Sequence, residues 1–171
     1  MTEKAEKIVS YLKLSPHPEG GFFRETYRST GAINLKSPDE GLSGIRNYST
    51  CIYFLLTSDT FSAFHRICHD EIWHFYDGSP VRIYMITASG EYSEIELGRD
   101  IEKGEVPQFV IPGGTLFAAE VLRENDFTLV ACTVSPGFDY RDFELPDRNR
   151  LISEYPQHKG IIKRMTRVGK L

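Results

Sequence analysis

The sequence predicts an all-β protein, a closed barrel or double-sheet jelly roll with a short helix before the strands and helices after them. Three observations carry this reading. Short runs rich in aromatic and β-branched residues recur at 22–28, 48–56, 60–67, 71–76, 81–87, 92–97, 108–111, 115–121 and 127–134. Turn signals separate several of them, among them Asp77-Gly78, Ser89-Gly90, Pro112-Gly113-Gly114 and Glu124-Asn125-Asp126. Helical patterning is confined to the two ends of the chain. Many short strands at regular spacing are the mark of a barrel or a jelly roll.

The elements follow in order. Thr2 is a suitable N-cap, and Ala5, Ile8, Val9 and Leu12 form one apolar stripe, so the first fourteen residues read as a helix. Ser15-Pro16-His17-Pro18-Glu19-Gly20-Gly21 stops it, because two prolines and two glycines cannot continue a helix. Residues 30–47 are polar and rich in Gly and Ser, and read as a long loop of the length used for lids and binding loops. After the last strand, helix resumes around 151–154 and 161–167. With 171 residues, 40% of them hydrophobic, the chain suits a single domain over residues 1–171.

The net charge of -4 and the pI of about 5.7 argue against nucleic acid or an anionic membrane as partner, since phosphate binding needs a basic surface. The basic end of the chain (Lys159, Lys163, Arg164, Arg167, Lys170) reads as a solvated helix. The polar N-terminus carries no secretory pattern, and no segment reaches membrane-spanning length. Cys51, Cys68 and Cys132 are few, odd in number and far apart, which excludes a zinc knuckle or disulfide framework and fits a reducing cytoplasm.

Chemistry concentrates between Phe61 and Gly78. Alternate strand residues share a face, so His65 points with Ala63 and Ile67, and Glu71 with Trp73 and Phe75, while His74 points the other way. A hairpin through 68–70 would bring His65 and Glu71 together across neighbouring strands. Facing a barrel interior, such a pair shifts each other's pKa and can transfer protons. His69 to His74 imitates the zinc-protease HExxH motif, but the glutamate is misplaced and the run reads as strand.

This segment resembles the first cupin motif, G-x5-H-x-H-x3-E-x6-G, with His65, Glu71 and Gly78 in place, Ile67 at the second histidine and Asp59 at the opening glycine. The second motif, G-x5-P-x-G-x2-H-x3-N, is met by Pro112 and Gly114, but Phe117 and Val121 stand at the histidine and asparagine. The blocks Pro16–Tyr27, His65–Tyr76, Pro107–Pro112 and Val130–Asp139 extend the resemblance over nearly the whole chain, to the fifth cupin family, a domain of unknown function related in fold to the sugar-nucleotide epimerases. The resemblance implies a jelly-roll barrel with a deep pocket, usually dimeric. Cupins hold a divalent metal with three histidines and a glutamate. Two of those four remain, too few for a tight transition-metal site, so the site is expected to work without metal or other cofactor.

The expected function is binding of a small polar ligand, a sugar or nucleotide-sugar, by a homodimer. If catalytic, it is an isomerase or epimerase with His65 as base, Glu71 orienting it and a tyrosine as acid: Tyr53, with Tyr27 and Tyr84 as alternatives. Arg24 is expected to clamp an anionic group, and Tyr27, Trp73, Gln108 and Phe117 to line the pocket. The alternatives are a metal-dependent dioxygenase or isomerase and a non-catalytic binding module.

Overall fold

The computed structural model describes residues 1–37 and 42–167. Helix α1 (Glu3–Leu12) starts where the Thr2 hydroxyl accepts the Ala5 amide and stops at Lys13, whose positive φ of 54° closes the helix. The strands are β1 (Ser15–Pro16), β2 (Phe22–Arg28), β3 (Ala32–Ser37), β4 (Leu42–Asn47), β5 (Thr50–Thr57), β6 (Phe61–Ile67), β7 (Asp70–Gly78), β8 (Val81–Ile86), β9 (Tyr92–Leu97), β10 (Gln108–Ile111), β11 (Leu116–Val121), β12 (Phe127–Ser135) and β13 (Phe143–Glu144). Helices α2 (Arg148–Glu154) and α3 (Lys159–Arg164) end the described chain.

The strands form a six-stranded sheet in the order β1-β2-β5-β12-β7-β10 and a five-stranded sheet in the order β13-β6-β11-β8-β9. Strand pairing within both is antiparallel. Alternation assigns each strand an inner and an outer face. The inner faces pack Phe54, Leu56, Trp73, Ile83, Met85, Phe117, Ala119 and Val130 against one another. The outer face of the six-stranded sheet buries Leu55 and Phe127 under α1. The outer face of the five-stranded sheet buries Phe64, Tyr84, Leu116 and Ala118 under Leu151, Ile162 and Met165 of the C-terminal segment.

Three expectations change here. Residues 30–47 are not a simple loop: β3 and β4 pair as a hairpin from Ala32↔Asn47 to Ser37↔Leu42, with residues 38–41 outside the description. The basic C-terminus is not merely solvated. Arg164 pairs with Glu120 and lies over the Tyr84 ring, and Arg167 donates to the carbonyls of Phe61 and Glu19, while Lys170 lies outside the described residues. β6 and β7 are not paired neighbours. They belong to opposite sheets, so His65 and Glu71 approach through the interior and not across a ladder.

Gly78 shows why the motif closes on glycine. Its φ is +94°, and a Cβ would sit 2.1 Å from the Phe127 carbonyl oxygen.

The hairpin β3–β4 is tied to the body by a buried ion pair. Arg46 Nε and its NH2 group donate to the two carboxylate oxygens of Asp142 at 2.6 and 2.7 Å. Asp142 ends the short 3-10 turn Tyr140–Asp142, so the pair anchors that turn as well. Breaking one side strands a buried charge. Asp142→Ala is expected to lose about 3–5 kcal/mol in urea unfolding, and the apolar double replacement Arg46→Met with Asp142→Leu much less. Equal losses would show that the cost comes from losing the pair itself and not from a stranded charge.

Candidate functional site

The open end of the barrel holds a cavity of about 320 Å³, at the small end of the range for small-molecule pockets. The alternation of the strands decides what lines it. β5 contributes Thr50, Ile52 and Phe54, β12 contributes Cys132 and Val134, β6 contributes His65 and Ile67, and β7 contributes Glu71. β2 contributes Phe23 and Glu25, and then, because a register shift between Glu25 and Tyr27 resets the parity, Arg28. The turn before β2 adds His17 and Glu19, and the segment after β12 adds Phe138, Asp139, Tyr140 and Phe143.

Glu19 is the centre of the polar end. The turn that presents it needs Gly20, at φ +119°, where a Cβ would meet the Phe61 carbonyl oxygen at 2.2 Å. The Glu19 carbonyl accepts the Ala63 amide at 2.9 Å, which fixes the turn to β6. One carboxylate oxygen accepts the Ser62 hydroxyl at 2.8 Å, and the other lies 3.0 Å from His65 Nε2 and 3.4 Å from His17 Nδ1. His65 Nδ1 lies 2.8 Å from the Ala63 carbonyl oxygen. A carbonyl only accepts, so Nδ1 carries hydrogen. Nε2 then faces a carboxylate and carries the second hydrogen, making an imidazolium–carboxylate pair.

The electrostatics agree. Burial alone would push His65 down, but the Glu19 carboxylate, with help from Glu71, holds it above its ordinary value. Burial would raise Glu19, yet the His65 charge and the hydrogen bonds from His65 and Ser62 bring it below the ordinary value. His17, buried and beside a charged imidazole, is pushed down. Its ring stacks edge-on against Phe23 and Phe54.

Glu71 differs. Burial raises its pKa to about 7; the His65 charge opposes the rise and the Glu19 charge adds to it. Its Oε1 accepts the Trp73 indole N–H at 2.9 Å, and the Cys132 thiol lies beside it as a donor. Burial, followed by the neighbouring Glu71, pushes that thiol well up, so it stays protonated. The cavity therefore contains a fixed ion pair and one carboxyl poised near neutrality.

Of the residues singled out from the sequence, His65 and Glu71 line the cavity. Trp73 and Phe117 lie under it as packed core, 1% and 0% exposed, holding Glu71 and the His65 ring (centroid distance 4.1 Å to Phe117) from behind. Arg24, Tyr27 and Tyr53 do not reach it. Arg24 and Tyr53 are cross-strand partners on the outer face of the six-stranded sheet, the guanidinium 5.9 Å from the ring centroid, and Tyr27 pairs there with Cys51. Gln108 is exposed, opposite His74 and not Trp73, which puts it on that outer face too. The alternative Tyr84 points under the C-terminal helices, donating to Glu120 at 2.5 Å. The tyrosine that lines the cavity is Tyr140. Glu19, Arg28, Asp139 and Tyr140 were not singled out. Glu19 stands in the Pro16–Tyr27 block, but strand parity says nothing about where a turn residue points.

A cupin metal does not fit these side chains. Ile67 presents an apolar chain to the cavity, Phe117 packs on the His65 ring, and both His65 nitrogens are engaged. Among the described residues no three His, Cys, Asp or Glu side chains are arranged to hold an ion. No helix among them is long and apolar enough to cross a membrane.

A family model described as Cupin superfamily (DUF985) matches residues 6–146. The uncharacterized protein YML079W of Saccharomyces cerevisiae is 34% identical over 146 residues, 80% of this chain and 72% of that protein. Protein SO0799 of Shewanella oneidensis superposes with a TM-score of 0.87 at 39% identity, over 96% of this chain and 98% of that one. A hypothetical protein from Leishmania major superposes with a TM-score of 0.88 at 35% identity, over 98% of this chain and 100% of that one.

The raised pKa of Glu71 sets a pH dependence of stability. A free glutamate titrates near 4.5 and Glu71 near 7, so between these values the folded state keeps a proton that the unfolded chain has released. Stability therefore falls as pH rises through that window. Glu71→Gln, which keeps an acceptor for Trp73, is expected to melt like the parent below pH 4 and to be more stable above pH 8 by up to about 3 kcal/mol. Melting curves from pH 4 to 9 measure this, and parallel curves for parent and variant would refute it.

Proposed function

The chain belongs to the DUF985 family of the cupin superfamily, and from the cavity it builds on that barrel we propose that it binds a small polar molecule of sugar size and moves a proton on it without a metal. One observation carries the reading: a buried carboxyl with a pKa near 7 shares a small cavity with an imidazolium fixed by a second carboxylate. A general acid or base works best when its pKa lies near the working pH.

The roles differ from those expected. His65 has both ring nitrogens engaged, by Ala63 and Glu19, and so is poorly placed as the base. It supplies a fixed positive charge next to the reacting group. Such preorganised charge stabilises negative charge that develops on a ligand when a proton leaves. Glu71 takes that proton and returns it. Glu19 positions His65 and keeps it charged. Tyr140, at the rim, is the tyrosine able to donate from a second side, its phenol pushed up by burial and by Glu19 and so protonated at neutral pH.

Solvent exchange tests this without knowledge of the product. Each member of a panel of small keto sugars and hydroxyaldehydes is incubated with the protein in D2O, and loss of ligand C–H signal is followed by NMR. Exchange is expected for at least one member, insensitive to EDTA, and at least ~100-fold slower in Glu71→Gln. Exchange that stops on chelation would favour a metal-dependent enzyme. Ligand-induced thermal stabilisation without exchange would leave a binding module.

A further inference from the structure

The charges around the cavity carry the reading one step further, to the class of ligand. Four acids line it: Glu19, Glu25, Glu71 and Asp139. Among the described residues two cations face them, and both are hydrogen-bonded to the protein itself. The His65 imidazolium gives one N–H to the Ala63 carbonyl and the other to Glu19. Arg28 makes five hydrogen bonds: Nε and an NH2 proton to the two oxygens of Glu25, an NH1 proton to Asn47 Oδ1, and one proton from each terminal nitrogen to the Phe138 carbonyl. A guanidinium has five N–H groups, so this set uses them all.

An entering phosphate or carboxylate would lose its hydration and meet acids, with no spare cationic N–H among the described residues to replace the water. What the cavity does offer is acidic acceptors, ring faces and the neutral donors of Tyr140, Thr50 and His17. Phe138, Tyr140 and Phe143 stand at one side with centroids 5.1 to 6.2 Å apart, each pair edge to face. Aromatic faces take the apolar side of a ring or an ammonium group. Glu71, whose Oε1 is shared with Trp73, waits below as the acceptor that can receive a hydroxyl or amine hydrogen.

Resting on the reading of this cavity as the ligand site, we propose that it takes a compact, non-anionic molecule: one ring whose apolar face lies on Phe138, Tyr140 and Phe143 and whose hydroxyl or amine donates to Glu71. A neutral or amino sugar belongs to this class, and a sugar phosphate or nucleotide-sugar does not. Arg28, the one guanidinium in the wall among the described residues, acts as a brace between β2 and the Phe138 segment and not as an anion clamp.

Matched probes test it on the full chain: glucose, glucosamine and glucose 6-phosphate, and 2-phenylethanol, 2-phenylethylamine and phenylacetate. Binding is read by titration of protein NMR signals from the cavity wall. The neutral and amine members are expected to bind at millimolar concentration or better, and the anionic member of each set at least tenfold more weakly. Anion preference in either set, or no binding by any probe, overturns the proposal. Glu25→Ala removes both acceptors and so frees the Nε and NH2 donors of Arg28, and is expected to raise the affinity of the anionic members relative to the neutral ones about tenfold. No gain in a variant that melts like the parent would show that Glu25 does not withhold Arg28 from anions, and would likewise overturn it. Deuterium exchange separates this proposal from the one it rests on. Anion preference with Glu71-dependent exchange intact would sink the ligand class alone. Non-anionic preference without exchange would sink the proton transfer alone.

Discussion

The contact between Glu19 and His65 organises the site. It is a buried ion pair inside the barrel, and such a pair is tolerated only when its remaining hydrogen-bonding capacity is met. Here Ser62 and the Ala63 carbonyl meet it. The pair joins the turn after α1 to the inner face of β6, and so seals one wall of the barrel with a segment that is not itself a long strand. It also sets the field at Glu71. The imidazolium works to lower that carboxyl's pKa, while Glu19 and burial raise it, and the balance lies near neutral pH.

The side chains around this contact differ from those of the cupin metal pattern. Two imidazoles of the family pattern are replaced by Ile67 and Phe117, which removes ligands and makes the surroundings drier. A drier setting disfavours charge on any carboxyl that lacks a strong partner. Glu19 has such a partner and Glu71 has a weaker set, an indole N–H and a thiol. One barrel thus holds two buried carboxyls whose affinities for protons are pushed apart, a pattern typical of acid–base sites.

The rim follows another logic. Its charges are arranged in closed pairs, Arg28 with Glu25 and Arg141 with Asp139, and the aromatic rings stand between them. Closed pairs leave no free cation for an anion, and ring faces suit a hydrocarbon face or an ammonium. The turn that carries Tyr140 is held from behind by Arg46 and Asp142, so the rim depends on the β3–β4 hairpin, a segment that reads from composition alone as a loop.

By itself the sequence determined the barrel, the helical ends, and which residues of β6 and β7 share a face, because period-2 alternation is a local property and the turn residues bound each strand. It grouped His65 with Ile67, and Glu71 with Trp73, on one face of each strand, and the structure decided that these faces point inward. It also showed that the metal pattern was broken, since Ile67 and Phe117 need only be read in place. Only the tertiary structure decided the rest. Arg24, Tyr27 and Tyr53 face outward because of which sheet face β2 and β5 bury, and a one-residue bulge near Thr26 exchanges Tyr27 for Arg28 at the cavity. Glu19 comes from an irregular turn, 43 residues before the Ser62 that it accepts from, and Tyr140 from a short 3-10 turn, where the period-2 alternation of strands does not apply. Their partners are chosen by how the chain closes the barrel, and that closure, not local pattern, makes Glu19 the residue that orients His65.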